Sequence, residues 1–211
     1  MPSPAPDAAS RTGFAQKETV LHFLADHEIY AEHDEAKTFY RVVSGMVRTC
    51  RFTHDGRRQI EAFHVAGDVF GLEHGTERLL SAEAVTDCAV ISFHRQRAEM
   101  LATTDGDWAR QLFAYAMQSA VRAQEHSLLL GRSGAAQKVA TFLLEMAQRS
   151  GQRETTIDLA MTRQDIADYL GLTIETVSRT LSQLERDGMI ARPTARRILV
   201  RNTSALRQLV A

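Results

Sequence analysis

The sequence predicts an α+β chain in three parts: an N-terminal antiparallel β-barrel of jelly-roll type, one long helix, and a C-terminal unit of short helices closed by a β-hairpin. Three observations carry this. Up to about residue 100, apolar and polar positions alternate in short runs broken by Gly-containing turns. From Asp107 the apolar period changes to three and four, with no Gly or Pro before Gly131. Beyond it, two short apolar-faced helices meet at Gly171 and an arginine-rich hairpin follows.

The 211 residues are 44% hydrophobic and 24% charged, an ordinary balance for a chain with a sizeable core. No apolar run approaches the length of a membrane span. Met1 to Gly13 holds three of the four prolines and no basic start followed by an apolar stretch. It is read as a flexible tail rather than a secretory signal. Two distant cysteines, Cys50 and Cys88, exclude a disulfide framework or a four-thiolate metal site within one chain, and a cytoplasmic location is expected.

Residues 14–105 form the expected barrel. Phe39, Arg41 and Val43 alternate with Tyr40 and Val42, and Asp55-Gly56 sits between two such runs as a hairpin turn. "SAEAVTDCAVISFHR" supplies further strands. Residues 106–131 form the long helix. One stripe runs Phe113, Ala116, Ala120, Ala123, Ser127, Leu130, and another runs Trp108, Leu112, Tyr115, Ser119. Two stripes need two covers. The first is expected to be a seam with a second copy, against the alternative of a helix buried inside a monomer.

Residues 132–211 form the last unit. It holds twelve Lys and Arg against eight Asp and Glu, a balance of +4. The whole chain has 25 against 26, which leaves thirteen against eighteen, or −5, for residues 1–131. A basic end on an acidic chain points to a polyanion partner for that end. Val139, Phe142, Leu143 and Met146 mark one helix, stopped at Gly151. A turn-rich strand segment, "RETTIDLAM", follows. Thr162 with Asp165 forms a capping-box pattern, Ile166, Ala167 and Leu170 face inward, and Gly171 allows a sharp turn. Thr173 caps the next helix, whose inner face is Val177, Leu181 and Leu184, before Asp187-Gly188 ends it. This is a helix-turn-helix, and the hairpin around Pro193-Thr194, with Arg192, Arg196, Arg197 and Arg201, makes it a winged one.

The outer side of the second helix carries Ile174, Glu175, Ser178 and Arg179. Arg can donate twice to a guanine edge, Glu can accept from a cytosine amino group, and Ile can meet a thymine methyl. Glu175 and Arg179, four apart, are expected to hold each other. A bare surface ion pair is the bland reading, and the frame around it favours base reading. Thr162, Arg163, Thr173, Arg196 and Arg197 are the expected phosphate contacts.

"DIADYLGLTIETVSRTLSQLERDGMI" closely resembles the DNA-binding signature of the Crp/Fnr superfamily of bacterial transcription regulators. "DGRRQIEAFHVAGDVFGLE" resembles its barrel, a cyclic-nucleotide-binding-like domain, and "EHSLLLG…KVATFLLEM" its helical link. Together with "YLGLTIETVSR", the barrel phrase is most similar to the FixK branch. The resemblance implies a homodimeric activator that contacts RNA polymerase. Its reading set, E-x-x-S-R, falls on Glu175, Ser178 and Arg179. The implied two-fold site resembles TTGAT-N4-ATCAA, upstream of genes for low-oxygen respiration or nitrogen fixation. Thr180 departs from the pattern, where a larger apolar residue is usual.

No cofactor is expected. A cyclic-nucleotide phosphate cassette would need a Gly-Glu pair and an Arg-Ser pair. Here Leu72 follows Gly71 and Leu79 follows Arg78, so Arg78 is read as lying on a solvated loop. An N-terminal thiolate cluster for iron–sulfur binding is missing. The eight histidines, including His22, His27, His33, His64, His74 and His126, fit no metal-ligand spacing and are read as solvated or satisfied side chains. A haem- or thiol-responsive regulator is the alternative. A ligand-binding barrel without DNA function is the alternative of another class. No catalytic motif of the GxSxG, P-loop, Rossmann or HExxH kind occurs, so an enzyme is not expected. The turn Asp55 to Arg58 is the expected polymerase-facing surface.

Overall fold

The structure, a computed structural model, describes residues 19–73, 75–132, 134–149 and 156–210. The expected tail, His74 and the Gly151 stop lie outside the described residues. Eight short strands come first: β1 (Thr19–Phe23), β2 (Glu28–Tyr30), β3 (Thr38–Ser44), β4 (Met46–Phe52), β5 (Arg58–Val65), β6 (Val69–Phe70), β7 (Ser81–Ala84) and β8 (Cys88–His94). They form two four-stranded antiparallel sheets, ordered β1-β8-β3-β6 and β2-β7-β4-β5. This is the expected jelly roll.

Alternation decides which face of each strand is covered. Tyr40 and Val42 of β3 point between the sheets, where they meet Val47, Ala82, Ala84 and Val90. Phe39, on the opposite face of the same strand, packs with Val69, Ala98 and Trp108. The Asp55-Gly56 hairpin joins β4 to β5, with Gly56 at φ +78°. Gly45 ends β3 with φ +80°, and a side chain there would sit 2.3 Å from the Asp87 carbonyl oxygen, so only glycine fits.

Three helices follow: α1 (Arg95–Thr104), α2 (Gly106–Leu130) and α3 (Ala135–Arg149). Asp105 caps α2, its carboxylate accepting from the Asp107 and Trp108 amides. Sequence reasoning ran the strands on to about residue 100 and missed α1. That helix is weakly amphipathic and buries only Ala98, so its period is faint. On α2, Trp108, His126 and Leu129 are buried while Phe113, Met117, Val121 and Leu128 are exposed. The helix is therefore not enclosed by its own chain.

The last unit contains β9 (Thr156–Asp158), α4 (Arg163–Leu170), α5 (Ile174–Arg186), β10 (Ile190–Ala191), β11 (Arg197–Val200) and α6 (Thr203–Val210). The hairpin is a three-stranded sheet, β10-β11-β9, because β9 pairs antiparallel with β11. Helix α6 was also missed from sequence. Its signals were present: the Asn202 side chain accepts from the Ala205 amide, and Leu206 is buried.

The largest core runs through both halves of the chain. Met46, Cys50, Ile60 and Phe63 of the barrel pack in one cluster with Phe142, Leu143, Ile166, Leu170, Val177 and Leu181. The second sheet thus uses its outer face as a floor for the C-terminal unit.

Arg78 corrects an expectation. It is not on a solvated loop but is buried at 2% exposure. It pairs with Glu73 at 2.8 Å, donates to the Thr38 and Gly71 carbonyls, and lies 4.0 Å over the Tyr30 ring. A buried charge needs such partners. With Leu72 after Gly71 and Leu79 after Arg78, the phosphate-binding pairs are incomplete, so the sequence offers Arg78 no anion and solvent is its expected partner. The bridge between Glu35 and Glu77 and the Arg78 amide bond to Asp34 fold it inward.

Candidate nucleic-acid interface

Helix α4 starts where the sequence places it. Thr162 accepts from the Asp165 amide at 3.1 Å, and the Asp165 carboxylate accepts from the Thr162 amide at 2.9 Å, completing the capping box. Gly171 ends α4 with φ +62°, the left-handed geometry that lets the chain turn at once into α5. Thr173 caps α5 by accepting from the Thr176 amide at 3.2 Å. Val177, Leu181 and Leu184 are buried and lock the two helices together. The first turns of α5 are left facing outward.

Ile174, Glu175 and Arg179 are exposed and Ser178 is half-buried. The expected side-chain pairing of Glu175 with Arg179 is not what holds them. Its own backbone amide and the Thr173 side chain hold the Glu175 carboxyl below the usual range, and the Arg179 charge adds a weaker pull. The geometric reason is the helix start, whose free amides offer a nearer partner. Arg179 makes a long 3.5 Å contact to the Thr176 hydroxyl. Its fork therefore stays available. Thr180 is half-buried, and its helix face forms a shallow groove with Ser178, Arg179, Ser182, Gln183 and Arg186.

The expected phosphate-contact residues divide. Thr162 and Arg163 lie at the start of α4, and Arg163 donates to Ser178 at 3.4 Å. Arg163 and Arg196 line one cleft of about 280 Å³ between the wing and the two helices, together with Arg192. Arg192 is tied to Glu185 at 2.6 Å. Arg197 is paired with Asp158 at 2.7 Å across the β9–β11 ladder. Thr173 is exposed beside Glu175. Sequence reasoning did not foresee that Asp158 would lie opposite Arg197, because the β9 register was not legible.

The expected polymerase-facing turn also divides. Asp55 accepts from Thr53 and from Arg57, whose Nε lies 2.7 Å away, and these bonds lower its pKa to about 2. Arg58 instead turns inward to Asp168, at 2.9 Å, and to Asp165.

Residues 137–209 match the Crp-like helix-turn-helix domain, and residues 20–105 match the cyclic nucleotide-binding domain. The nitrogen fixation regulation protein FixK of Azorhizobium caulinodans is 49% identical over 191 residues, covering 89% of this chain and 77% of that protein. The protein of the same name from Rhizobium meliloti is 40% identical, over 90% of this chain and 86% of its own length. The chain belongs to the Crp/Fnr family. The solved structure of FixK2 from Bradyrhizobium japonicum superposes with a TM-score of 0.87 at 46% identity, covering 93% of this chain and 98% of that one. The winged unit is thus the DNA-binding domain of a transcription regulator, and the barrel is a member of the cyclic-nucleotide-binding fold. Among the described residues, no helix is long and apolar enough to cross a membrane, and no group of three or more His, Cys, Asp or Glu could hold a metal ion.

Proposed function

We propose that this chain is a homodimeric transcription activator of the FixK type, which reads a two-fold site resembling TTGAT-N4-ATCAA without a small-molecule effector. The relatives' names carry nitrogen fixation as the regulated process. The observation that carries the reading is the first two turns of α5, which present Ile174, Glu175 and Arg179, with half-buried Ser178 between them, outward from a capped start. Glu175 and Arg179 read bases, with Ser178 and Ile174 beside them. Thr162, Arg163, Thr173, Arg196 and Arg197 face phosphates, with Arg197 sharing its charge with Asp158.

The exposed apolar residues of α2 support the dimer. Phe113, Met117 and Val121 recur at intervals of four, and a second copy of α2 would cover them. The expected stripe shares Phe113 with this set. Ala116, Ala120, Ala123 and Ser127 are small exposed neighbours, whereas Leu130 is half-buried against its own chain. Two reading helices then lie about 34 Å apart on successive major grooves.

Effector independence is supported by the barrel interior. Tyr30, Tyr40, Phe70 and His64 stack in series with ring centroids 5.2–5.8 Å apart. Glu73 supplies Arg78 with its anion from within the chain. Burial pushes the Cys50 thiol up to about 11 and raises Cys88 as well, so neither is a ready thiolate. His64 and His126 are hydrogen-bonded to Thr49 and to the Tyr169 carbonyl. The exposed turn Thr53–Arg57 is the proposed polymerase contact.

The test is fluorescence anisotropy in air, with no added ligand. It compares a duplex carrying the palindrome with one whose GA steps are scrambled, then repeats both with cyclic AMP and with haem. Tight binding to the first duplex, unchanged by either addition, is expected. Equal, weak binding to both duplexes, or binding that appears only with an addition, would overturn the reading.

A further inference from the structure

Helix α4, which leads into the reading helix, is tied to the barrel by charged side chains. The Oδ2 atom of Asp165 closes the capping box with Thr162. Its Oδ1 atom is taken from the barrel side by Arg58 and, at 3.3 Å, by Arg48. One turn later, Asp168 accepts from Arg58 Nε at 2.9 Å. A single guanidinium from β5 therefore spans two carboxylates three residues apart on α4, which fixes both the position and the rotation of that helix. Glu83 on β7 anchors the clamp, accepting from Arg48 Nε at 2.7 Å and lying 3.7 Å from Arg58. Arg48 and Asp165 are buried, so solvent screening does little to loosen them.

A second grip lies further along the helix. Tyr169 stacks on His126 of α2 with centroids 4.1 Å apart, and meets Phe63 of β5 at 5.3 Å. The His126 Nε2 atom is 2.8 Å from the Tyr169 carbonyl. Barrel, long helix and α4 thus form one framed unit. Helix α5 leaves α4 through the single turn at Gly171, so any rotation of α4 is carried directly to Glu175, Ser178 and Arg179.

We propose that Arg58, with Arg48 behind it, is a positioning residue for DNA reading: it clamps α4 to the barrel through Asp165 and Asp168 and so fixes the angle at which each reading helix meets its groove. The inference rests on the palindrome reading above and gives it a physical basis. Where the clamp is built from permanently charged arginines, the head is aligned without a ligand. The clamp acts on orientation. Its loss therefore falls on the simultaneous engagement of two heads and not on the contacts of one.

The test uses the full-length chain and two variants. Arg58→Lys keeps a charge opposite Asp165 but loses the fork that spans both carboxylates. Asp168→Ala removes the outer carboxylate only. Hydrogen exchange of the α4 amides is measured without DNA, and melting confirms folding. Anisotropy then compares duplexes with N4 and N5 spacers and a single half-site. The expected result is at least tenfold faster exchange in α4 and at least tenfold loss of the preference for N4 over N5, with half-site affinity within twofold of the unaltered chain. Unchanged exchange and unchanged spacer preference in a folded variant overturn the clamp. Should Arg58→Lys not melt cooperatively, Asp168→Ala carries the same comparison. If the unaltered chain ignores the palindrome, the functional reading fails, while hydrogen exchange still decides whether the clamp holds α4.

Discussion

Replacing Arg179 with alanine separates base reading from every other role of the C-terminal unit. Arg179 is exposed, and its hydrogen bond to Thr176 is 3.5 Å long. The Thr176 hydroxyl keeps its contact with Thr173 at 3.1 Å, so the truncation leaves no buried group unsatisfied. Folding stability should change by no more than about 0.5 kcal/mol, as for other surface positions. A guanine contact contributes roughly 1–3 kcal/mol of discrimination, and a dimer places two of them, so about 2–6 kcal/mol is at stake. At about 1.4 kcal/mol per decade, that is roughly a thirtyfold to twenty-thousandfold loss on the palindrome. On the scrambled duplex the loss should stay below about tenfold, because phosphate contacts supply non-specific binding. The assay is anisotropy on both duplexes at two salt concentrations, beside a thermal melt. Equal losses on the two duplexes would refute the reasoning, since Arg179 would then be a phosphate contact. A lowered melting temperature would refute it differently, by making the residue structural.

Other outcomes follow from the same geometry. Glu73→Gln should destabilise the barrel by about 3–5 kcal/mol, because it leaves Arg78 charged and buried, and the double variant Glu73→Leu with Arg78→Met should regain most of this in a urea titration. Gly171→Ala should cost about 1–2 kcal/mol for its left-handed backbone, since the new Cβ meets only Leu130 at an ordinary 3.5 Å; a melt unchanged by the substitution would contradict this. Phe113→Asp should convert the dimer to monomer in sedimentation velocity and abolish palindrome binding, and a variant that stays dimeric would remove α2 as the seam. Burial lowers the His64 pKa to about 3. In the unfolded chain the ring takes up a proton near 6.5, so the unfolded state binds more protons between those values and stability falls as pH drops from about 6.5 toward 3. His64→Gln should flatten that part of the pH–stability curve, read by denaturant melts, and an identical acid limb would rule His64 out as its source.

The winged helix-turn-helix was legible because its determinants are local. Thr162 with Asp165, Gly171, Thr173, and the buried Ile166, Leu170, Val177 and Leu181 each act within a few residues, so spacing alone specifies caps, turn and inner face. The barrel was legible as a class for the same reason: alternation and Asp55-Gly56 mark strands and a hairpin without saying which strand lies beside which. The outward set Glu175, Ser178 and Arg179 was also fixed by period. What holds Glu175 was not, because the choice between Arg179 and the helix-start amides depends on side-chain direction rather than on spacing.

The sequence by itself determined most of the strands and helices, α1 and α6 excepted, where the reading helix begins, and which of its residues face away from the core, since these depend on neighbours a few positions apart. Tertiary structure alone decided the rest. It buried Arg78 against Glu73 and Tyr30, set Asp158 opposite Arg197, and brought Arg48 and Arg58 to Asp165 across more than a hundred residues of chain. Those pairings depend on which sheet face becomes the floor for the C-terminal unit. Nothing in the local pattern around an arginine records which distant carboxylate will desolvate with it.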